Sequence, residues 1–548
     1  MQLSILTIGF LGIIAIPSLT AFNGDWLEKD FFHRTRVRNE LDWNWDRTWS
    51  GMSINNQPVS GILSNVLGKY KFTLPRVQIQ RGQAYLGAAT RLRRVVRQLM
   101  RHTSPAKPIK IGVIGGSITW GQAVRPRGEA DWFSILSKWL LNAFPAASIT
   151  TRNGCTPGVP ATYMILCLEM SVDPDVDLVF IEFTVNNGHD DLLYGNKIVK
   201  DMERLVRRIL GLPNHPAVVL MHVPTTHMAG YPLGHPKNPG NETLTPFYAT
   251  SEDAMGAVSQ YYDVQALSLR TAVYDLAVRQ AKDGFLWEQV FVDLHPGNMG
   301  HKLMADLAVF MLQQISLGLL QLPYGQDDAE AAEAPLPAPM YAGNIPPSSP
   351  MCIIGDSFRS LADSVTTTGW DYINEGTTEK PKPGYVAREP GSVLRVRIDT
   401  DRSGMSSQTE DVHVFFHYLR SYEHMGKAAF RCVSGCTCSS KEYDGHHEEK
   451  VSQLYMALME VSQHAACVME VQVLNTTRSG EYKFKVAGVV ISEMAGDGGI
   501  MDNILLGGEQ FGVREHNGEV MQMTFTKEGR KGGTDASARR RQQRRQMQ

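Results

Sequence analysis

This 548-residue sequence lacks an excess of either charge. It holds 54 Lys and Arg against 56 Asp and Glu, a formal net charge of −2. A balanced charge gives no electrostatic basis for binding nucleic-acid phosphates, so we expect no nucleic-acid partner. We find no apolar run of bilayer length after residue 25 and no internal repeat, and we expect no stable membrane span. The chain is too long for one hydrophobic core, which predicts at least two domains.

Cysteine is scarce, with seven residues in the whole chain. A cluster near the C-terminal third is spaced either for two disulfides in an oxidising compartment or for a zinc site; its members are Cys432, Cys436, Cys438 and Cys467. The zinc alternative lacks a second Cys-x-x-Cys pair and a His at finger spacing, so the disulfides are favoured. An odd number of cysteines leaves one thiol unpaired or one bridge intermolecular.

The N-terminus predicts a secretory signal peptide over residues 1–21. An apolar core of the right length is followed by Pro17 and small residues, with cleavage expected near Thr20 or Ala21. The usual basic start is missing, so an uncleaved anchor and a buried strand stay open as alternatives. On a secretory route, the sequons at Asn241 and Asn475 are candidate glycosylation sites. We expect a secreted, endomembrane or cell-surface protein.

Residues 22–108 predict an irregular N-terminal arm followed by one amphipathic helix at 82–103. From 109 to 320, strand and helix patterns alternate, which predicts an α/β domain whose parallel sheet is covered by helices on both faces. The expected strands are 110–116, 147–152, 176–183, 217–223 and 264–269. The expected helices are 132–144, 160–170, 197–211, 252–262, 271–282 and 298–317.

Beyond residue 320 the pattern changes. Residues 321–350 are acidic and rich in proline, as linkers are. Short runs of alternating apolar and polar residues over 351–495 predict an antiparallel β-sandwich domain. The C-terminal segment 496–548 ends in a polar, basic tail from Lys527 onward, which predicts disorder there.

The segment Ile109–Thr119 carries the first candidate for chemistry. A β-branched apolar run ends in two glycines and Ser117, which predicts a buried parallel strand followed by a sharp turn. Open α/β folds bind ligands at the carboxyl edge of the sheet, where this turn lies. Ser117 is therefore a candidate nucleophile, with its own N–H as an oxyanion donor. A phosphate loop is the alternative, but the Lys that such a loop requires does not follow.

Three further segments place polar residues where a predicted strand gives way to a loop: Asn153–Gly158, Asp177–Gly188 and Phe291–His301. They reach the same edge of the sheet as Ser117 and can share its cleft. His295 is the candidate general base, and Asp293 is the candidate acceptor that orients its imidazole. Gly158, through its N–H, and Asn186, through its side-chain amide, are the further candidate oxyanion donors.

In this order, Ser117, Gly158, Asn186 and His295 resemble the conserved blocks of the SGNH (GDSL-type) hydrolase superfamily, over residues of about 109–320. The resemblance implies a flavodoxin-like three-layer α/β/α fold, no metal or cofactor, and hydrolysis of esters on lipids or carbohydrates. The chain departs from the pattern twice. Gly116 replaces the Asp before the serine, and Asp293 stands two residues before the histidine, not three. A backbone carbonyl that orients His295 in place of Asp293 therefore stays open as an alternative.

A second literal match lies in the predicted sandwich. Gly355-Asp356-Ser357 resembles the serine block, and Asp444-Gly445-His446-His447 resembles the histidine block. The interval between them lacks βαβ alternation and an Asn block, so we do not expect a site there. The His-rich loop itself is more typical of a solvated surface than of a metal site.

These features together predict a serine esterase of carboxylic esters, O-acetyl esters of glycans among them, with a C-terminal β-sandwich. The expected partner is a small-molecule or glycan ester, and the oligomeric state stays undetermined. Two alternatives stay open. An O-acyltransferase would use the same Ser and His, and a decayed hydrolase would be a binding or surface protein.

Overall fold

The computed structural model describes residues 53–54, 57–68, 70–101, 107–157, 159–187, 192–224, 250–279, 287–292, 295–348, 350–377, 381–402, 411–448, 452–492, 513–516 and 519–522. The predicted signal peptide, the sequon at Asn241 and the basic tail lie outside these residues. Within the C-terminal segment, two short strands that pair with each other are described.

The strands are β1 Ser53–Ile54, β2 Gln57–Pro58, β3 Gln83–Tyr85, β4 Ile109–Gly115, β5 Ile149–Asn153, β6 Leu178–Glu182, β7 Ala217–His222, β8 Gln265–Ser268, β9 Met351–Ile354, β10 Asp371–Asn374, β11 Pro383–Ala387, β12 Val393–Ile398, β13 Val412–Arg420, β14 Lys427–Ser434, β15 Lys441–Asp444, β16 Gln453–Val461, β17 Cys467–Val473, β18 Phe484–Ser492, β19 Val513–His516 and β20 Glu519–Gln522. The helices are α1 Val59–Gly68, α2 Arg76–Arg81, α3 Thr90–Met100, α4 Ser117–Trp120, α5 Trp132–Ala143, α6 Ala161–Ser171, α7 Lys197–Leu210, α8 Ser251–Tyr262, α9 Leu269–Arg279, α10 Trp287–Val290, α11 Asn298–Gln321, α12 Gln326–Glu333 and α13 Gly355–Arg359.

The first domain is built on a six-stranded sheet with the order β3-β8-β7-β6-β4-β5. The five strands from β4 to β8 are parallel, and β3 joins the edge antiparallel to β8. Numbered along the chain, the parallel strands run 2-1-3-4-5, the flavodoxin-like order. The predicted α/β fold is confirmed, and the point where the order reverses lies between β4 and β6.

Both faces of this sheet are covered, as the apolar composition of its strands requires. In β6, Leu178 and Phe180 pack into the hydrophobic cluster formed with α3, α5 and α11. Val179 and Ile181 pack on the other side with α6, α7 and α8. The alternation along one strand therefore fills both cores, which makes a three-layer domain.

The prediction of a single helix over 82–103 is wrong. The chain instead forms α2, then β3, then α3. A Cβ atom on Gly82 would lie 2.4 Å from Leu307 Cδ2, so the chain passes close to α11 here. Gly87 then has φ of +57°, a left-handed conformation that a helix interior does not tolerate. Tertiary contacts and one glycine thus divide an apparently continuous amphipathic pattern.

Helix α11 is long and apolar enough to cross a bilayer by length and composition, contrary to our sequence-based expectation that no segment after residue 25 would be. However, 67% of its apolar window is buried inside the protein. A core helix of a soluble domain passes the same test, so this finding is weak evidence for a membrane span.

The segment predicted as a linker, 321–350, is packed against the first domain. Its helix α12 is anchored where Arg93 Nε donates to Asp328 Oδ1 at 2.9 Å. Further along, the buried carboxylate of Glu203 on α7 accepts from the Met340 N–H and the Asn344 side-chain amide. The segment therefore holds to α3 and α7 by hydrogen bonds and is not a free tether.

The second domain is an antiparallel β-sandwich, as predicted. One sheet has the order β10-β11-β18-β13-β16, with β9 also paired to β18, and the other has the order β12-β17-β14-β15. Alternate residues of β13 fill the core between the two sheets; they are Val412, Val414, Phe416 and Tyr418.

The opposite face of β13 packs on the first domain. Phe415 shares one buried cluster with residues of α6 and α7, together with Met456, Leu458 and Val490 of the neighbouring strands. The His417 ring lies 5.5 Å from the ring of Tyr163 on α6. A disulfide joins Cys167 of α6 to Cys352 of β9. Helix α6 is thus enclosed between the parallel sheet and the sandwich.

Candidate active site

Ser117 begins the short helix α4, immediately after the turn that ends β4. Gly115 closes the strand, and a Cβ atom on it would lie 2.6 Å from the carbonyl oxygen of Glu182. A Cβ atom on Gly116 would lie 2.1 Å from Asn186 Oδ1. The Asn186 side chain therefore occupies the space that a side chain at position 116 would need, which explains the missing Asp in the serine block.

The hydroxyl of Ser117 meets the imidazole of His295. Ser117 Oγ and His295 Nε2 are 2.8 Å apart, although 178 residues separate them in sequence. The loop around His295 is held by two backbone hydrogen bonds: Val292 N–H donates to His295 O at 3.0 Å, and Gly297 N–H donates to Val290 O at 2.9 Å. His295 is 6% exposed, whereas Ser117 is partly exposed, so the imidazole is shielded from water more than the hydroxyl. The 2.8 Å between Ser117 Oγ and His295 Nε2 is short enough for proton transfer.

The loop after β5 is tied to the serine turn. Asn153 Nδ2 donates to Thr119 O at 2.9 Å, and Thr156 N–H donates to Gly115 O at 3.0 Å. This loop carries the segment Asn153–Gly158, which is called the second block below. It approaches the same edge of the sheet as Ser117, as the sequence predicts. Gly158 and Asp293 lie outside the described residues, so their roles stay predictions.

Four residues around the site were not assigned a role from sequence. Asn187 is buried, and its Oδ1 accepts from Ala161 N–H at 3.0 Å, at the first residue of α6. Thr119, Trp132 and Glu182 form a buried hydrogen-bonded group beneath the serine turn. The Asn-Asn doublet at 186–187 was a usable signal, because two amides at a strand end offer one for the site and one for a helix terminus.

Within the described part of the chain, the buried carboxyl group of Glu182 is not paired with Arg152 or Arg270. Arg152 pairs with Asp173, and Arg270 pairs with Asp253. The carboxyl group of Glu182 instead accepts from the Thr119 hydroxyl at 3.1 Å. Burial raises its pKa to about 8, although contacts with Thr119 favour the charged form. Glu182 is therefore mostly uncharged at neutral pH.

The second pair of literal matches, at Gly355–Ser357 and Asp444–His447, does not form one site; these two segments are called the decoy motifs below. Ser357 is exposed on α13, which follows β9 of the first sandwich sheet. Asp444 ends β15 of the other sheet. His301, which follows the histidine block, accepts from Trp132 N–H at 3.1 Å through Nδ1, so it holds the start of α5.

The clustered cysteines form two disulfides, Cys432–Cys438 and Cys436–Cys467. Their sulfur atoms lie close enough together to suggest a metal site, but sulfur in a disulfide is not the thiolate that zinc requires. The odd cysteine is Cys155, which is free and buried, and burial raises the pKa of its thiol well above the usual value.

No protein-family model and no curated protein matches this chain. Solved structures do match. A two-domain esterase active on acetylated mannans superposes with a TM-score of 0.54 at 19% identity, covering 76% of this chain and 99% of that one. The same esterase co-crystallized with mannopentaose gives 0.53 at 19% identity, covering 76% and 98%.

A variant of the acetyl xylan esterase Axe2 from Geobacillus stearothermophilus also matches, with 15% identity and a TM-score of 0.27 over 39% of this chain and 97% of that one. Such low identities show the fold alone. The parallel sheet agrees with the fold implied by the four sequence blocks, and the appended sandwich agrees with the alternating pattern of residues 351–495. The chain thus shares the two-domain fold of the esterase active on acetylated mannans, here a flavodoxin-like α/β domain followed by a β-sandwich.

Proposed function

We propose that this protein is a serine esterase that removes O-acetyl groups from a polysaccharide outside the cytoplasm. The observation that carries the proposal is the 2.8 Å contact between Ser117 Oγ and His295 Nε2 at the carboxyl edge of a parallel sheet. A hydroxyl becomes an effective nucleophile only when a base lies within hydrogen-bond reach, and this imidazole meets that requirement.

In the first half-reaction, Ser117 Oγ attacks the acetyl carbonyl carbon while its proton passes to His295 Nε2. The bond between the carbonyl carbon and the sugar oxygen then breaks, and His295 returns the proton to the departing sugar hydroxyl. In the second half-reaction, water gives a proton to His295 and attacks the acetyl-Ser117 carbonyl. Acetate leaves, and Ser117 recovers its proton.

The negative oxygen of each tetrahedral intermediate needs hydrogen-bond donors. The proposed donors are the N–H of Ser117, the N–H of Gly158 and the side-chain amide of Asn186. The close packing of Asn186 on Gly116 supports its part in this set. Loss of one such donor typically costs about 2.7–4 kcal/mol of transition-state stabilisation. Asp293 is the proposed acceptor that fixes the tautomer of His295.

Three features support an extracellular glycan ester as the substrate. One structural neighbour is an esterase active on acetylated mannans, which has also been crystallized with mannopentaose. Three disulfides favour an oxidising compartment. Asn475 is exposed just after β17, where a glycan could be attached.

The proposal is tested by acetate release from acetylated mannan and xylan, together with labelling by a fluorophosphonate probe. Wild-type protein is expected to release acetate and to be labelled, whereas Ser117→Ala is expected to do neither. Ser357→Ala is the matched control, because it removes an exposed serine from the decoy motif and is expected to behave as the wild type. A folded wild type that is neither labelled nor active would overturn the proposal. Transfer of acetyl to an added sugar in place of acetate release would identify an acyltransferase.

A further inference from the structure

The turn that carries Ser117 rests on a buried carboxyl group that the proposed mechanism does not use. Glu182, the last residue of β6, is 0% exposed. Its carbonyl oxygen accepts from Gly116 N–H at 3.3 Å, and its Oε2 accepts from the Thr119 hydroxyl at 3.1 Å. One residue therefore contacts the chain on both sides of Ser117.

Thr119 connects this carboxyl group to two other elements. Its hydroxyl oxygen also accepts from the indole N–H of Trp132, at 3.1 Å, at the start of α5. Its carbonyl oxygen accepts from Asn153 Nδ2 at 2.9 Å, and Asn153 Oδ1 accepts from Cys155 N–H at 3.1 Å. Through Thr119, Glu182 is thus linked to the segment Asn153–Gly158.

The environment keeps the carboxyl group uncharged. Within the described part of the chain, no Lys or Arg forms an ion pair with Glu182, and burial raises its pKa to about 8. Its titratable neighbour on the loop after β5 is Cys155, whose thiol also has a raised pKa and also interacts with Asp131 at the start of α5. His301, which accepts from the Trp132 backbone, has its pKa lowered to about 4 by burial. Burying a polar group in such surroundings costs free energy unless the group is hydrogen-bonded, so the hydrogen bond to Thr119 matters for the stability of this turn.

We propose that Glu182 is a positioning residue for the serine turn, which it fixes through the Gly116 backbone and the Thr119 hydroxyl. The inference rests on the proposed function, because the position of Ser117 matters only if Ser117 reacts. Glu182 itself does not contact the reacting atoms.

The test compares Glu182→Leu, Thr119→Val and Glu182→Gln by kcat and KM for p-nitrophenyl acetate. The first two remove the hydrogen bond between Glu182 and Thr119 with little change of volume, and Thr119→Val also removes the acceptor of the Trp132 indole N–H. We expect kcat to fall about 10- to 100-fold with KM almost unchanged, since a misplacement of about 1 Å can cost about 100-fold. Glu182→Gln keeps an uncharged hydrogen-bonding group and is expected to retain the wild-type kcat at pH 7.

A pH profile separates positioning from a merely structural role. In wild type, kcat is expected to decline above pH 8, as the carboxyl group ionises beneath the turn, and Glu182→Gln is expected to lack that decline. Glu203→Gln is the matched control. Glu203 is equally buried, but its carboxylate accepts hydrogen bonds from Met340 N–H and the Asn344 side-chain amide, not from the serine turn. The pH profile of kcat for this variant is therefore expected to match that of wild type.

The outcomes are distinguishable. Absence of turnover and of fluorophosphonate labelling in wild type would overturn the proposed function and this inference with it. Wild-type turnover with an undiminished kcat in Thr119→Val and Glu182→Leu would overturn the inference alone. A Glu182→Gln protein as impaired at pH 7 as Glu182→Leu would also overturn it. Should Glu182→Leu fail to fold, Thr119→Val alone decides, with thermal melting as its check on folding.

Discussion

At Gly116, the absence of a side chain is what lets Asn186 approach the serine turn. An added Cβ atom would lie 2.1 Å from Asn186 Oδ1, a distance that real contacts do not show. Gly116→Ala is therefore expected to displace the Asn186 amide and to lower kcat by about 100-fold, the usual effect of losing an oxyanion donor. Gly116→Asp, which restores the common serine block, is expected to be equally harmful. Steady-state kinetics with thermal melting measure both effects.

Gly112→Ala is the control for this prediction. It lies in the same strand, β4, but its Cβ atom would meet Val176 Cγ2 at 3.7 Å, an ordinary van der Waals distance. We expect this variant to retain kcat. Full activity in Gly116→Ala would show that Asn186 does not need its present position.

At the scale of the element, the periodic segments were predictable and the exceptions have physical causes. Every expected strand from β4 to β8 is present within a few residues. The central strands β4, β6 and β7 are buried and carry the apolar runs that identify them, whereas β5 is an edge strand with mostly exposed residues. The helix expected at 82–103 is interrupted, because Gly82 packs against α11 and Gly87 adopts a left-handed φ. Such contacts depend on residues more than 200 positions away, which no local pattern encodes.

The site was predictable only in part. The serine block stands out because polar residues follow a buried strand, and the predicted contact of Ser117 with His295 is present. The histidine block was expected to follow a strand as well, and this is wrong: it follows the short helix α10. The bridge from Cys167 to Cys352 could not be anticipated, because disulfide connectivity depends on how the domains dock. Thr119 and Trp132 carry no motif, and their roles emerge only once α4 and α5 are packed together.

Helix α6 connects the candidate oxyanion residues to the rest of the molecule, and its N-terminus provides a second prediction. Asn187 caps α6 from 26 residues away by accepting the N–H of Ala161, whereas Asn196 is the N-cap residue of α7 itself and accepts Val199 N–H at 3.1 Å. Replacement of either Asn by Ala is expected to lower the free energy of unfolding by about 1 kcal/mol, the usual contribution of a cap.

Kinetics separates these two caps. Only Asn187→Ala is expected to lower kcat, because α6 directly follows the second block and Asn187 adjoins Asn186. The measurements are urea unfolding and kcat for p-nitrophenyl acetate. Equal kcat values in the two variants would show that the start of α6 does not affect the site.

At the scale of the whole molecule, the sandwich acts as a support for α6 as much as a separate module. Phe415 is fully buried in the cluster shared with α6, whereas Phe430 is fully buried in the sandwich's own core. Replacement of either Phe by Ala is expected to cost about 3–5 kcal/mol of stability. At a temperature where both variants stay folded, only Phe415→Ala is expected to lower kcat. Calorimetry and kinetics on the pair measure this, and an unchanged kcat in Phe415→Ala would show that the sandwich does not support the site.

Buried titratable groups predict how the stability of the whole protein changes with pH. Burial lowers the pKa of His222 to about 3 and that of three further histidines to about 4; the three are His301, His413 and His417. Their unfolded pKa values lie near 6.5, so the stability they contribute is complete above pH 6.5 and is lost as pH falls toward 4. Glu182 acts in the opposite direction: its contribution is complete below pH 4.5 and is lost as pH rises to about 8.

Between pH 4.5 and 6.5, the four histidines outweigh the one carboxyl group. Their opposing slopes cancel at about pH 7, so these five groups place maximum stability near that pH. His417 lies in the domain interface against Tyr163, and His417→Gln is expected to reduce the acid slope by one proton, about 1.4 kcal/mol per pH unit. The measurement is the free energy of urea unfolding from pH 4.5 to 8. His464→Gln, at an exposed position, is the control and is expected to leave the slope unchanged. If His417→Gln also leaves it unchanged, His417 is protonated in the folded protein and the sandwich does not exclude water from α6.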